Sequence, residues 1–328
     1  MLTAALPVVT AASGPRADRA AEWAAQWAAQ WAAEHSGELG ELVAQRGAVL
    51  VRGLAVTSAN EVAAVARAVG IEPMPEREGF APRDSYAEAV YSATKWPPDE
   101  PICMHHELSY VHEVPSRIVF GCLKASATGG ATQVADGHAV LTALPPDLVD
   151  RFAAHGWLLT RMYNEAGVPW TTAFGTDDPA RVDAYCAAAG VSREWLPGGQ
   201  LRTWQRRAAV IRHPHTGVPL WFNQVAFLNE RTLDPVVREY LVSLYGPEGL
   251  PFNTACGDGS PVTTEIVETI NEVYLKAAVG EPWRDGDVLI ADNIQMAHSR
   301  QPYEGSREIV VVFGNPVRLS QPTFADAG

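Results

Sequence analysis

The sequence is poor in cysteine, and none of its cysteines lie in C-x-x-C spacing. Cys103, Cys122, Cys186 and Cys256 are too few for a disulfide framework in a chain of 328 residues. This scarcity predicts reduced thiols in a cytoplasmic protein. Cys103 lies close to the candidate metal ligand His105, but we interpret it as a buried structural thiol.

Basic residues are also scarce, since 25 lysines and arginines stand against 38 aspartates and glutamates, a formal net charge of −13. This balance argues against nucleic acid or an anionic membrane as a partner, but it allows a local basic pocket for a small acid. The sequence has no run of 18 apolar residues, which predicts no membrane span. Its first twenty residues lack a basic region before their apolar part, which disfavours a signal peptide.

Hydrophobic residues make up 47% of the chain, enough for a sizeable core, and we expect one domain over 1–328. The helices that we predict cover 20–35, 58–68, 145–155 and 264–279. The strands that we predict cover 47–54, 89–92, 104–110, 116–124, 132–136, 208–212, 218–223, 287–292 and 308–313. Many short strands with helices at the N-terminus favour an α+β protein with a jelly-roll core, the double-stranded β-helix, under helical cover.

Two further segments carry aromatic residues. Trp23, Trp27 and Trp31 recur at every fourth position of an Ala-rich helix, which predicts one apolar ridge that packs on the core. The segment 161–204 has no strong periodicity and is typical of a lid or insertion. Its Tyr163, Trp170 and Phe174 either close over a small substrate or pack a surface insertion.

One stretch, Met104 to Tyr110, carries the pattern of a metal site. On a strand, His105 and Glu107 point to the same face while His106 turns away. Two histidines and a carboxylate hold non-haem Fe(II) and leave three positions open, so a second histidine is needed, and His298 is the candidate. A jelly roll brings strands that are distant in sequence side by side, which allows this pairing. His213 and His215 are better explained by a turn.

The residues around these ligands carry a family resemblance that runs from about residue 45 to 318. The motifs are His105-x-Glu107-x-Ser109-Tyr110, Gly129-Gly130-x-Thr132, Asp292-Asn293, and His298-x-Arg300-x-Pro302-Tyr303-x-Gly305-x-Arg307. Together they resemble the TauD/TfdA family of Fe(II)- and 2-oxoglutarate-dependent oxygenases with the clavaminate synthase-like fold. The His-x-Glu form is similar to the amino-acid-hydroxylating branch of syringomycin-type pathways, and it departs from the His-x-Asp of taurine dioxygenase.

The resemblance implies roles for further residues. Arg307 matches the position that binds the far carboxylate of 2-oxoglutarate, for which the arginine fork is suited, and Thr132 matches a hydroxyl on the co-substrate. The remaining iron position receives O2. Arg300 either steers substrate or braces its loop. Because Glu107 supplies a carboxylate where related halogenases have a small residue, oxygenation is favoured over halogenation.

The resemblance therefore implies an enzyme that hydroxylates an unactivated C–H bond of an amino acid or its derivative, free or carried on a protein or peptide, in secondary metabolism. Desaturation or epoxidation by the same oxidant is an alternative, and so is a jelly-roll protein that binds metal or ligand without turnover. The donors and acceptors that we expect around a polar substrate are Arg83, Ser109, Tyr110, Arg212 and Asn223. The oligomeric state and the substrate itself stay open.

Overall fold

The computed structural model describes residues 5–11, 21–320 and 324, with the side chains of the first helix described from residue 26 onward. Among these residues the largest sheet has seven strands. In spatial order they are Val8–Thr10 (β1), Ala48–Arg52 (β2), Val288–Asp292 (β15), Glu113–Lys124 (β6), Glu308–Arg318 (β18), Val90–Ser92 (β4) and Ser85–Ala87 (β3).

Four smaller sheets accompany it in the described part of the chain. A sheet of three strands consists of Ile102–His105 (β5), Met296–Arg300 (β16) and Thr132–Asp136 (β8). A sheet of four consists of Ser192–Leu196 (β10), Gln200–Arg207 (β11), Trp157–Tyr163 (β9) and Phe252–Cys256 (β14). The two hairpin-like pairs are Val210–Arg212 (β12) with Pro219–Trp221 (β13), and Thr128–Gly129 (β7) with Tyr303–Glu304 (β17).

In chain order, the helices of the described residues lie between these strands. They are Ala21–Glu34 (α1), Ser36–Arg46 (α2), Ala59–Ala68 (α3), Gly137–Ala143 (α4), Pro146–His155 (α5), Trp170–Phe174 (α6), Pro179–Ala189 (α7), Pro235–Tyr245 (α8) and Thr264–Ala277 (α9). Helix α3 begins where Ser58 accepts a hydrogen bond from the backbone N–H of Glu61, the expected serine cap. None of these helices is long and apolar enough to cross a membrane.

The central strands of the seven-stranded sheet are buried on both faces, as the alternation along β6 shows. Ile118 and Phe120 pack into the core on the side of the three-stranded sheet, whereas Val119 packs with Val62 of α3 on the other side. Helices α1 and α3 thus cover the outer face of the sheet, which confirms the predicted N-terminal helical cover. The inner face of the sheet, toward the three-stranded sheet, is the face available to line a site.

The predicted tryptophan ridge is confirmed where side chains are described. Trp31 is buried and Trp27 is partly buried against the cluster that covers the outer face of the sheet. The side chain of Trp23 lies outside the described residues. The histidine turn is also confirmed, because Nδ1 of His213 accepts from the backbone N–H groups of His215 and Thr216.

Two predictions about local structure are wrong. The strand predicted over 104–110 ends at His105, and a turn follows it, with Leu108 at a φ of 53°. The segment 161–204 is not irregular, because strands β9, β10 and β11 and helices α6 and α7 account for most of it. These strands hydrogen-bond to one another across the sequence, a pairing that local periodicity does not reveal.

Candidate metal centre and co-substrate cavity

Strand pairing brings the two candidate histidines together. His298 of β16 lies directly opposite His105 of β5 in the antiparallel ladder. Glu107 reaches the same place from the turn after β5, and not from the strand itself, so the reason given by the sequence pattern was wrong for this residue. The chain reverses there through Leu108, whose left-handed backbone redirects the segment.

Asn293 holds this turn in place, and sequence reasoning did not assign it that role. Its Oδ1 accepts from the backbone N–H of Glu107 at 2.8 Å. Its Nδ2 donates to the carbonyl of Glu107 at 3.0 Å and to that of Pro115 at 2.8 Å. The backbone carbonyl of Asn293 also lies 2.8 Å from Nδ1 of His106. A fully bonded, buried amide therefore positions Glu107 while His106 faces away from the cluster.

His105, Glu107 and His298 offer ligand atoms that all lie within 4.8 Å of one another. Oε2 of Glu107 is 3.5 Å from Nε2 of His298 and 3.9 Å from Nε2 of His105. Nδ1 of His105 lies 2.8 Å from the carbonyl of Cys103, which leaves Nε2 as the free lone pair toward the cluster. The ring of Phe227 stacks on His105 with centroids 4.4 Å apart and holds its plane.

The ionisation of this cluster suits a divalent cation. Burial, helped by the neighbouring His298, lowers the pKa of His105 to about 3, so the imidazole is neutral at neutral pH. Burial alone would raise the pKa of Glu107. Arg83, His298 and His105 outweigh it and hold that pKa at about 2. Metals require a neutral imidazole and an ionised carboxylate, and both are present.

The donor set of two nitrogens and one oxygen therefore fits Fe(II) with open coordination positions. It is the one group of three or more histidine, cysteine or acidic side chains within bridging distance in the described ranges. Cys103 is not in it, and its side chain is partly buried rather than buried as expected.

Thr132 and Arg307 line the same cavity as the three ligands, a narrow space of about 40 Å³. Oγ1 of Thr132 accepts from Nε1 of Trp283 at 3.2 Å, a contact that the sequence did not indicate. Nε of Arg307 donates to the carbonyl of Gly130 at 3.0 Å. Burial, together with Arg300, lowers the pKa of Arg307 to about 10, which still leaves a cation at neutral pH.

Arg300 also lines the cavity, but its guanidinium donates hydrogen bonds to backbone carbonyls. Nη1 donates to the carbonyl of Trp96 at 3.2 Å, and Nη2 donates to those of Pro97 and Glu100. These contacts support bracing of the 96–100 loop over steering of a substrate. Trp96 and Pro97 of this loop line a second cavity of about 550 Å³, which shares Arg300 and Arg307 with the narrow one.

The structure places three of the expected substrate residues near the metal cluster, with different surroundings. Arg83 lines the cavity, with Nη2 at 3.2 Å from Oε2 of Glu107. Ser109 is buried in the turn and Tyr110 donates its hydroxyl to the carbonyl of Glu78 at 2.8 Å. Neither Ser109 nor Tyr110 lines the cavity.

The other two expected substrate residues are not brought to the site. Arg212 is exposed in the β12–β13 hairpin and donates to the carbonyl of Gly217 at 3.0 Å. Asn223 is buried, but its amide donates to the carbonyl of Ala209 and accepts from the N–H of Val225. Both are bound to nearby backbone, because turns use polar side chains in this way.

The aromatic residues of the insertion mostly contact each other. The rings of Tyr163 and Phe174 have centroids 5.5 Å apart, and those of Trp170 and Trp195 are 5.1 Å apart. They belong to a separate hydrophobic cluster and do not line the metal cavity. Of the two expectations for these side chains, the packing of an insertion is the one that these contacts support.

A cluster of two histidines and one carboxylate beside a partly buried arginine and a threonine hydroxyl fits the site of a non-haem iron oxygenase that uses a 2-oxoacid. Comparison with known proteins agrees. The family described as "Taurine catabolism dioxygenase TauD, TfdA family" matches residues 15–313. The chain belongs to this TauD/TfdA family, and it is an Fe(II)- and 2-oxoglutarate-dependent dioxygenase.

Individual relatives are similar over most of the chain. The dapdiamide synthesis protein DdaC of Enterobacter agglomerans is 32% identical over 278 residues, which cover 84% of either chain. A clavaminate synthase-like protein of Arabidopsis thaliana is 30% identical over 287 residues, 83% of this chain and 82% of that one. PvcB of Pseudomonas aeruginosa, an Fe, alpha-ketoglutarate-dependent oxygenase from an isonitrile synthetic pathway, has a similar fold, with a TM-score of 0.51 and 17% identity over 86% and 82% of the two chains.

Proposed function

We propose that this dioxygenase hydroxylates an unactivated C–H bond of an amino acid or an amino-acid derivative. His105, Glu107 and His298 hold Fe(II), and Thr132 and Arg307 hold 2-oxoglutarate. The observation that carries the proposal is the meeting of these five side chains in one narrow cavity.

We infer that the sheets around this cavity form a double-stranded β-helix within one domain. The three-stranded sheet contributes His105 and His298, and the seven-stranded sheet contributes Phe120 and Val311, to walls of the same cavity. Two sheets that enclose a site between their inner faces are what a jelly roll provides.

The residues of the chain have separate tasks in the reaction. Bound iron and 2-oxoglutarate supply the oxidising chemistry, and the protein supplies position, charge and exclusion of water. The guanidinium of Arg307 pairs with the far carboxylate of 2-oxoglutarate. Because Trp283 donates to the oxygen of Thr132, the hydroxyl hydrogen of Thr132 is free to donate to an anionic oxygen of the co-substrate.

The substrate class is supported by the relatives and by the His-x-Glu form of the ligand motif. DdaC takes part in dapdiamide synthesis, and we propose a comparable place in secondary metabolism for this chain. The carboxylate of Glu107 favours oxygenation over halogenation, because related halogenases have a small residue at this position. The described cysteines are free, which is consistent with the cytoplasmic location that we propose.

The test begins with anaerobic addition of Fe(II) and 2-oxoglutarate and measurement of the visible absorbance of their complex. Free amino acids, their carrier-bound thioesters, taurine and aryloxyacetates are then supplied with O2. We expect succinate release and a gain of one oxygen with an amino-acid form. A loss of two hydrogens would instead indicate desaturation. Turnover of taurine or an aryloxyacetate, with none of any amino-acid form, contradicts the proposal.

A further inference from the structure

Three guanidinium groups line the metal cavity, those of Arg83, Arg300 and Arg307. Arg300 is committed to backbone carbonyls of the neighbouring loop. Arg307 is the candidate for 2-oxoglutarate. Arg83 is therefore the cation at this cavity that neither the loop nor the co-substrate uses.

The side chain of Arg83 is only 4% exposed, and hydrogen bonds hold it in a defined position. Its Nε lies 3.3 Å from Oε1 of Glu76, and its Nη1 donates to the carbonyl of Ser92 at 3.2 Å. Its Nη2 lies 3.2 and 3.4 Å from the two carboxylate oxygens of Glu107. The carboxylates of Glu76, which is partly buried, and of Glu107, which is buried, thus hold one guanidinium, and Glu107 is also a proposed metal ligand.

Arg83 also lines two cavities. One is the metal cavity, and the other is a space of about 170 Å³ that Glu76 and Tyr91 also line. Val168 of the insertion and Ala173 of α6 line that second space. It has room for several water molecules, so a small polar molecule fits beside the guanidinium.

We propose that Arg83 is the anchor for a carboxylate of the substrate, with Glu76 as the residue that positions its guanidinium. This inference rests on the proposed function and deepens it. A guanidinium has five N–H groups. Nε–H pairs with Glu76, one N–H of Nη1 with the carbonyl of Ser92 and one N–H of Nη2 with Glu107, so Nη1 and Nη2 each keep one N–H for an anion. A planar fork recognises a carboxylate by two parallel hydrogen bonds, which lysine does not reproduce.

Two sources of carboxylate share this chemistry. One is the α-carboxylate of a free amino acid. The other is the side-chain carboxylate of an acidic amino acid whose α-carboxyl group is held as a thioester. Four kinds of probe separate them: free aspartate and glutamate, free asparagine and glutamine, and the pantetheine thioesters of each pair.

The experiment uses the wild-type enzyme, the Arg83→Lys and Arg83→Gln variants, and Arg318→Gln as a control at an exposed, ion-paired arginine. Anaerobic titration of the Fe(II)–2-oxoglutarate absorbance reports metal and co-substrate binding, and its perturbation by each probe reports substrate binding. Succinate release then gives KM. Because Arg83 contacts Glu107, the metal titration of each variant is measured first. Arg83→Lys keeps a positive charge beside Glu107, so we expect a small shift in its metal titration and a rise of about ten- to a hundredfold in KM for carboxylated probes. Arg318→Gln should match the wild type.

The probes also assign the source. Binding of free asparagine or glutamine indicates the α-carboxylate, and binding of the aspartyl or glutamyl thioester indicates the side chain. Equal binding of the asparaginyl or glutaminyl thioester, which has no carboxylate, overturns the inference. So does an Arg83→Lys variant that shifts only the metal titration, or a wild-type enzyme that loads normally and binds no carboxylated probe. A wild-type enzyme that fails to load Fe(II) and 2-oxoglutarate instead contradicts the proposed function.

Discussion

Nε2 of His298 lies 3.5 Å from Oε2 of Glu107, although one residue belongs to strand β16 and the other to the turn after β5. The contact exists because β5 and β16 pair side by side and Asn293 holds the turn. Ligands from two separate segments, both buried, give an ion a defined and open geometry.

Alanine substitution of His105, Glu107 or His298 should abolish turnover and the binding of Fe(II), because two ligands do not hold the ion in that geometry. Iron per folded molecule, measured by mass spectrometry, is the primary readout. His106→Ala should destabilise the buried turn but retain iron, and His138→Ala, at an exposed position, should match the wild type. Iron retained by His105→Ala and lost by His106→Ala would show that the assignment of the two neighbours is reversed.

Loss of the Arg307 guanidinium should raise the KM for 2-oxoglutarate by tenfold or more, since a charge-assisted pair contributes about 1.5–3 kcal/mol. Thr132→Ala should cause a smaller rise. Trp283→Phe should cause a smaller one still, because it removes only the N–H that orients the Thr132 hydroxyl. Initial rates of succinate release against 2-oxoglutarate concentration measure all three. An unchanged KM for 2-oxoglutarate in Arg307→Ala rules out the binding of 2-oxoglutarate by Arg307.

Gly130→Ala should weaken the binding of 2-oxoglutarate by displacing Arg307. Gly130 has a φ of +70°, and a Cβ there would lie 2.5 Å from Oγ of Ser126 and 3.1 Å from Cδ of Arg307. Gly190→Ala is the matched control, since its φ is +63° but no heavy atom lies within 4 Å of the added Cβ. Both variants should lose about 1–2 kcal/mol of stability from backbone strain. Only Gly130→Ala should raise the KM for 2-oxoglutarate, and equal KM values in the two variants contradict this reasoning.

Asp292→Asn should destabilise the fold at neutral pH by about 2–4 kcal/mol, because it leaves Arg117 and His213 without their carboxylate partner. Burial raises the pKa of Asp292. The hydrogen bond from His213 and the charge of Arg117 outweigh burial and hold that pKa below its ordinary value of 3.8.

A carboxyl group whose pKa is lower in the folded state than in the unfolded state stabilises the fold while it is ionised. The stabilisation from Asp292 is present above pH 3.8 and is lost as the pH falls through the folded pKa. The difference between wild type and Asp292→Asn in urea unfolding should therefore shrink in a pH series that runs from 7 into this acidic range. Glu113→Gln, at an exposed ion pair, should show little difference at any pH. A difference between wild type and Asp292→Asn that stays constant with pH contradicts the ionic origin.

Elements whose signals are local could be predicted from the amino-acid sequence. The serine cap of α3, the tryptophan ridge of α1 and the apolar strand β15 were all predicted, because caps and periodicity depend on neighbours within a few residues. The candidate ligands His105, Glu107 and His298 followed from residue type and spacing. The structure supports them by bringing their ligand atoms together.

Features that depend on partners distant in sequence could be seen only in the folded chain. The turn of Glu107 is held by Asn293, and Arg83 is aimed by Glu76, yet no local pattern links either pair. Strand pairing turned the supposedly irregular insertion into part of a four-stranded sheet, and it left Arg212 outside the site. Side-chain direction and strand register are set by long-range packing, so a sequence read in short windows names the ligands but not the residues that position them.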